Sequence, residues 1–347
     1  MRKFINTVVF IATFLFLSLA LIFALNFFNN DIDVKTEPVS GLAPVSGDIS
    51  ILNWNIGYAG LGKDSDFYMD GGEMLKPPSR QAVETNLAGI QTVLKNYKSD
   101  FHIFQEISEP DMLNLGVEVL EGVKDQLVSY SMHYSSDFRT KLIPTRWALR
   151  HGLAVFSRVN ASPVEIIRLS NEPTRLGGIV QRQYHIAATE FGHADGSDWI
   201  LLNIHLSAFD EGGDIRLKQL NELIEIANDY YKFGKHVIVG GDWNIQLSDA
   251  EFPNTTKDEF LFWRTKLPQE QILPGWQIIV DETTPTMRSN ERPYSKGENF
   301  TSIIDGYMIS PNVDAISVKT IDTNFEFTDH QPILGVFRAK NLNRNSE

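Results

Sequence analysis

Residues His236–Asn244 read HVIVGGDWN, and this stretch sets the reading of the whole chain. Val237, Ile238 and Val239 form an apolar, β-branched run, the mark of a buried strand. Gly240 and Gly241 follow, free to turn the backbone or to let it approach a ligand closely. Then come a carboxylate, Asp242, and a carboxamide, Asn244. Residues two apart point the same way while a strand continues, so both can face one site. Open α/β sheets place their chemistry at such strand ends. The plain alternative is an Asp and an Asn that serve a turn.

The same arrangement recurs along the chain. In DISILNWNIG (48–57), Ile49, Ile51, Asn53 and Asn55 share one face, and Leu52, Trp54 and Ile56 the other. FHIFQEIS (101–108) carries Glu106 at the end of an aromatic and aliphatic run. WILLNIHLSA (199–208) alternates Asn203 and His205 against Leu202, Ile204 and Leu206. SIIDGYMIS (302–310) and TDHQPILGVF (328–337) add Asp305, Asp329 and His330. Taken singly, each has an ordinary explanation: a strand-end charge, a hydrogen-bonded core histidine, a turn or a cap. Taken together, Asn55, Glu106, His205, Asp242, Asn244, Asp305, Asp329 and His330 are explained more simply by one site. Their oxygens suit Mg²⁺ or Mn²⁺, which prefer hard donors. Two histidines beside carboxylates supply acid, base or transition-state donors. Such a set fits metal-assisted hydrolysis of a phosphoester. His102, His133, His151, His185, His193 and His236 have less telling surroundings.

Composition narrows the class. The formal net charge of −13 argues against broad, sequence-independent binding of nucleic acid, though not against a local basic groove. With no cysteine, disulfides, thiolate metal sites and thiol nucleophiles are excluded. No Gly-x-Ser-x-Gly elbow is present either.

Arg2 and Lys3 precede an uncharged stretch to Asn30, nearly continuously apolar from Val8 to Leu25 and long enough to cross a bilayer. The basic residues predict a cytoplasmic N-terminus and a domain on the far side of the membrane. A cleaved signal peptide is the rival. The run is long for one, and Ser18-Leu19-Ala20, which has the small-x-small spacing, lies inside it. The expectation is an anchor over 1–30, a linker without periodicity over 31–47, one domain over 48–340, and a frayed tail over 341–347.

Within the domain, Val83, Leu87, Ile90, Leu94 and Tyr97 predict a helix over 80–97. A second helix is expected over 112–128, followed by a polar loop. Strands are expected at 152–158 (GLAVFSR) and 179–191 (IVQRQYHIAATEF), and a helix through Leu217, Leu220, Ile224 and Ala227 that stops near Gly234. Residues 248–300 read as loops, with the last two strands in 302–310 and 328–337. Strands that both alternate with helices and run consecutively predict a layered α/β domain with mixed sheets.

These motifs resemble those of the endonuclease/exonuclease/phosphatase superfamily, whose fold is shared by DNase I, abasic-site endonucleases, inositol polyphosphate 5-phosphatases and neutral sphingomyelinases. NWNIG, FQEIS, NIHLSA, GGDWN, IIDGYMIS and TDHQPI fall in the family's order across residues 48–338. The resemblance implies a four-layer sandwich, two mixed β-sheets face to face with helices outside. It implies Glu106 as the principal Mg²⁺ ligand, aided by Asn55, with Asp329 as a second ligand or an orienting partner. His330, oriented by Asp305, would activate water or stabilise the phosphoryl group. Asp242 and Asn244 would position the attacking water and the phosphate, and His205 would donate to a phosphate oxygen or the leaving group. Either Asp242 or His330 qualifies as general base. Arg182, in VQRQYH, is a candidate phosphate contact.

The expected activity is a membrane-anchored, Mg²⁺-dependent phosphodiesterase or phosphatase. Its substrate is nucleic acid, cut by an extracytoplasmic nuclease, or a phospholipid or small phosphoester. The histidine segment, with Arg216 and Gln219 on the next helix, is similar to the sphingomyelinase and deadenylase branches. A catalytically silent binding module is disfavoured because no motif position carries an inactivating replacement. Phe260-Leu261-Phe262-Trp263 reads as core or loop packing rather than a bilayer-inserting hairpin. No protein partner is evident.

Overall fold

The computed structural model describes residues 1–27, 31–172, 181–208 and 212–340. The expected tail over 341–347, the end of the expected anchor at 28–30, the start of the expected strand at 179–180, and residues 209–211 of the histidine segment lie outside the described residues.

In chain order the elements are α1 (Arg2–Phe27), β1 (Val34–Glu37), β2 (Ile49–Asn55), α2 (Arg80–Asn96), β3 (Phe101–Ser108), α3 (Val119–Gln126), β4 (Ser131–Arg139), β5 (Arg150–Ser157) and β6 (Glu165–Arg168). They continue as β7 (His185–Gly192), β8 (Asp198–His205), α4 (Asp214–Lys232), β9 (His236–Asp242), β10 (Gln277–Ile279), β11 (Met287–Arg288), β12 (Thr301–Ser302), β13 (Asp305–Ile309), β14 (Val313–Thr320) and β15 (Ile333–Ala339).

Two mixed sheets carry the domain. The first has the order β1-β4-β5-β3-β2-β15-β14, and the second β10-β13-β9-β8-β7-β6. Each has one parallel pair near its middle, β2 with β3 and β8 with β9; every other pairing is antiparallel. The period-2 patterns explain the layering. Ile49 and Ile51 of β2 face Leu201 and Ile238 of the second sheet in a shared core, while Leu52, Trp54 and Ile56 pack outward with Val83, Ile90 and Val123 of α2 and α3. On the far side, Leu202, Ile204 and Val239 pack against Leu220, Leu223 and Ala227 of α4. Helices, sheet, sheet and helix therefore make the four layers expected. Each large apolar side chain so buried contributes roughly 1.5–3 kcal/mol.

The glycine pair of the opening stretch works by close approach, not by turning. β9 runs straight through to Asp242. A Cβ on Gly240 would lie 2.8 Å from Ile103 of the facing sheet, and one on Gly241, where φ is 152°, would lie 2.1 Å from the Ile204 carbonyl. Gly240 leaves room for Ile103 across the sheet interface, and Gly241 lets β9 approach the β8 backbone within its own sheet.

Several local expectations are corrected. Val34–Glu37, read as linker, forms an edge strand paired with Met132–Ser135. The helix expected over 112–128 is confined to Val119–Gln126. Before it, the Asp111 carboxylate accepts from Leu113 and Asn114 amides and holds a turn, and Gly116 adopts φ 76°. The strand expected from 179 begins only at His185. The polar loop before Gly152 contains β4, and β14 intervenes between the two segments read as the last strands. Leu261 and Trp263 pack with Met287, Phe300 and Ile304, as expected of core, although Phe262 is exposed. α1 is apolar and exposed, and is the one helix among the described residues long and apolar enough to cross a membrane; a signal sequence has the same features.

Candidate active site

The parallel pairs bring four strand ends to one edge of the sandwich. Asn55 ends β2 beside β3, and His205 and Asp242 stand opposite each other at the ends of β8 and β9. The antiparallel β13 starts there, with Asp305 opposite Asp242. Glu106 reaches the same point through a bulge: the β3–β5 register shifts between Phe104 and Ile107, and Glu106 itself has φ 52°. An extra residue in a strand re-aims a side chain, and a left-handed non-glycine residue is tolerated where surrounding structure enforces it. Asn244 has φ 50° and is held by its carboxamide, which donates to the Leu206 carbonyl at 2.9 Å.

Asn55, Glu106, His205, Asp242, Asn244, Asp329 and His330 line one pocket of about 70 Å³. Asp305 stands behind it, its Oδ2 accepting from His330 Nδ1 at 2.9 Å. Asp242 Oδ2 is the point of convergence. It accepts from Asn55 Nδ2 at 2.9 Å, and lies 3.5 Å from His205 Nε2 and 3.8 Å from His330 Nε2. The Asn244 amide donates to Asp242 Oδ1. The Trp54 indole and Thr328 hydroxyl both donate to the His330 carbonyl, fixing the backbone of the last motif.

The two histidines are set in opposite charge states. Burial works against an imidazolium at His330, but the Asp305 and Asp242 carboxylates outweigh it and hold its pKa well above the ordinary histidine value. Burial and the nearby Arg182 hold His205 well below it. The tautomer of His205 follows from its partner. Arg182 can only donate, and its Nη2 lies 2.9 Å from His205 Nδ1, so the imidazole proton is on Nε2, facing the pocket. Burial, with the charge of Asp305, pushes the Asp242 carboxyl up to about 7.

A divalent cation fits beside Glu106. Burial raises the Glu106 carboxyl, with Arg182, 3.6 Å away, opposing. Among the described residues Asp329 Oδ1 and Asn290 Oδ1 are buried without a hydrogen-bond partner, and Asp70, pushed by burial to about 7, faces the same region. Oxygen donors in excess of positive charge are what a hard cation requires. The tightest grouping of potential ligands is instead Asp242, Asp305 and His330, whose ligand atoms lie within 4.8 Å of one another. There the His330 proton already offsets one of the two carboxylates.

The Endonuclease/Exonuclease/phosphatase family model matches residues 52–330. The chain belongs to that family. Members of the endonuclease/exonuclease/phosphatase family are generally phosphoester hydrolases that use divalent metals. No curated protein matches the sequence. Among solved structures, truncated TDP2 of Caenorhabditis elegans is 16% identical, with a TM-score of 0.55 over 84% of this chain and 98% of that one. An endonuclease/exonuclease/phosphatase from Beutenbergia cavernae is 16% identical, with a TM-score of 0.56 over 84% and 72%. The human Nocturnin catalytic domain with bound sulfate is 14% identical, with a TM-score of 0.51 over 86% and 97%. Likeness at these identities establishes the shared DNase I-like fold.

Part of the site's surroundings was not legible in the sequence. His151, set aside, lies with its Nδ1 2.9 Å from Asp137 Oδ1. Asp137 Oδ2 accepts from Arg182 Nε at 2.6 Å, and Arg182 reaches His205, so a buried chain runs His151–Asp137–Arg182–His205. Arg182 does not line the catalytic pocket but the cavity next to it. Asp137 carried a weak signal, an acid inside a hidden strand. Asp70 lies between β2 and α2, outside every segment singled out in the sequence. Arg216 and Gln219 prove to be structural. Arg216 donates to the carbonyls of Ser207, Asn244, Trp263 and Ala208, and Gln219 accepts from the Ser207 amide.

Proposed function

We propose that the chain is a Mg²⁺-dependent phosphoester hydrolase, with Mn²⁺ as an alternative ion, anchored by its N-terminal helix with the catalytic domain outside the cytoplasm. The observation that carries the reading is the convergence of His330 Nε2, His205 Nε2 and Asn55 Nδ2 on one oxygen of Asp242. Glu106, Asn55 and Asp329 would hold the cation, which neutralises charge on the phosphoryl oxygens when bound. Asp242, with a carboxyl near neutrality, takes the proton of the attacking water and is the general base. The His330 imidazolium, locked by Asp305, donates to a phosphoryl oxygen whose charge grows in the transition state. His205 donates from Nε2 to a phosphate oxygen or the leaving group. Asn244 fixes Asp242 through its amide. Arg182, already engaged by Asp137 and His205, positions His205 rather than binding phosphate. The basic Arg2 and Lys3 before the apolar helix support the orientation.

The test uses the full chain in detergent micelles with Mg²⁺, assayed on bis(p-nitrophenyl) phosphate, plasmid DNA, RNA and choline phospholipid. Hydrolysis abolished by EDTA and restored by Mg²⁺ or Mn²⁺ is expected. Hydrolysis that survives EDTA, or none on any of these phosphoesters, contradicts the reading.

A further inference from the structure

Beside the catalytic pocket lies a second cavity of about 280 Å³, lined among others by Met69, Leu75, Met112, Leu113, Phe138 and Leu149. The two have Tyr58 and Phe67 in both linings and so adjoin each other. Tyr184, Glu172, Arg182 and His151 also line this cavity. The Tyr184 hydroxyl donates to Glu172, and Arg182 is held by Asp137. The rest of its lining is apolar, beside the catalytic pocket.

Its surroundings point to a bilayer. Met69 and Leu75 are large apolar residues exposed to solvent, Leu75 by 59%. Their loop is tied to the β4–β5 loop by Lys76 Nζ, which donates to the Arg146 carbonyl at 2.9 Å. That second loop exposes Leu142 and Trp147. It also receives the end of α1: Asn26 Nδ2 donates to the Lys141 carbonyl at 2.9 Å, and the Lys141 amide donates back to Asn26 Oδ1 at 2.7 Å. The apolar helix thus joins the domain at the loop whose exposed tryptophan and leucine suit a membrane interface. Exposed apolar surface in such a place marks a contact.

We propose that this cavity seats the hydrocarbon chain of a membrane phospholipid whose phosphate occupies the catalytic pocket. The inference rests on the phosphoester-hydrolase reading and names its substrate class. The chain enters past Met69 and Leu75 from the bilayer that α1 spans, and the phosphate lies on the Asp242 side of Tyr58.

The experiment reads occupancy directly, without turnover. Full-length protein is reconstituted in phosphatidylcholine vesicles containing a phosphatidylcholine with a diazirine in its acyl chain, irradiated, digested and mapped by mass spectrometry. Label is expected on peptides bearing Met69, Leu75, Met112, Phe138 or Leu149, and should fall at least fivefold in Leu149→Trp, which fills the cavity, while label on α1 is unchanged. Leu75→Glu, at the exposed rim, should give the same loss and serves where Leu149→Trp does not fold, as judged by hydrolysis of bis(p-nitrophenyl) phosphate and by circular dichroism. Label confined to α1, cavity label indifferent to both substitutions, or cavity crosslinks formed instead with a 5-iodouridine oligonucleotide would overturn the proposal. Failure of wild-type protein to hydrolyse bis(p-nitrophenyl) phosphate would count against the hydrolase reading alone, because the label still decides occupancy.

Discussion

Asp305 and His330, 25 residues apart, meet at 2.9 Å through Oδ2 and Nδ1, both side chains buried. The contact turns His330 Nε2 towards Asp242 and, with Asp242, keeps the ring charged despite burial. Asp305→Asn removes one of the two carboxylates that raise the His330 pKa, so that pKa should fall. If the imidazolium is the active form, activity is lost as pH rises through this pKa, and the loss should begin at lower pH in the variant. A fall in kcat of roughly 10²–10⁴ is expected at neutral pH. A pH–rate profile unshifted on its alkaline side would contradict the assignment.

The chain from Asp137 through Arg182 sets the tautomer and charge of His205. Arg182→Met removes a charge that depresses the His205 pKa, so that pKa should rise. Protonation would then begin at higher pH, and the acid limb of kcat should move up. Histidine nitrogen chemical shifts against pH read the tautomer directly. A His205 that stays neutral and Nε2-protonated in the variant would show that Arg182 does not control it.

His102 is buried in the first sheet with neither ring nitrogen hydrogen-bonded, stacked near Phe104 and edge-on to Tyr130. Burial lowers its pKa to about 3. The sign follows: between the unfolded value near 6.5 and the folded value, the unfolded chain takes a proton that the native one refuses. Stability contributed by the neutral ring is therefore whole above that window and lost as pH falls through it, by up to about 1.4 kcal/mol per pH unit. His102→Phe should flatten the urea-unfolding free energy between pH 6 and pH 4, roughly by that slope. An unchanged slope would exclude His102 as a source of acid lability.

Arg216 ties the loop after β8 to the loop after β9 through four carbonyls. Arg216→Met leaves buried acceptors without donors, at about 1–3 kcal/mol each where no water replaces them. A fall in stability on the order of 3 kcal/mol, read by denaturant midpoint, is expected, together with lower activity as Asn244 loosens. A variant as stable as wild type would show that other groups hold these loops.

What could be read from the sequence follows from where burial alternates. β2, β8 and β9 bury an apolar outer face and end in polar residues, so Asn55, His205, Asp242 and Asn244 announced themselves. β4 did not. Met132 and Tyr134 face the outer core, but His133, Ser135 and Asp137 face inward and are satisfied by tertiary partners, such as Ser135 by His185 at 2.7 Å. Its strand pattern is legible only once the facing sheet is present. β1 is too short and polar to carry a period. The His151–Asp137–Arg182 chain joins three separate segments, and no local spacing encodes it. Glu106 was found as a residue type at a strand end, whereas the bulge that aims it was not visible.

If Glu106 anchors the catalytic cation, calorimetric titration of Mn²⁺ into the full-length chain and its Glu106→Gln variant will register it. One saturable site is expected in the wild-type protein, weakened at least tenfold in Glu106→Gln, with circular dichroism unchanged. Equal affinity in the two proteins, or loss of binding in Asp305→Asn instead, would place the cation elsewhere and contradict the Glu106 assignment.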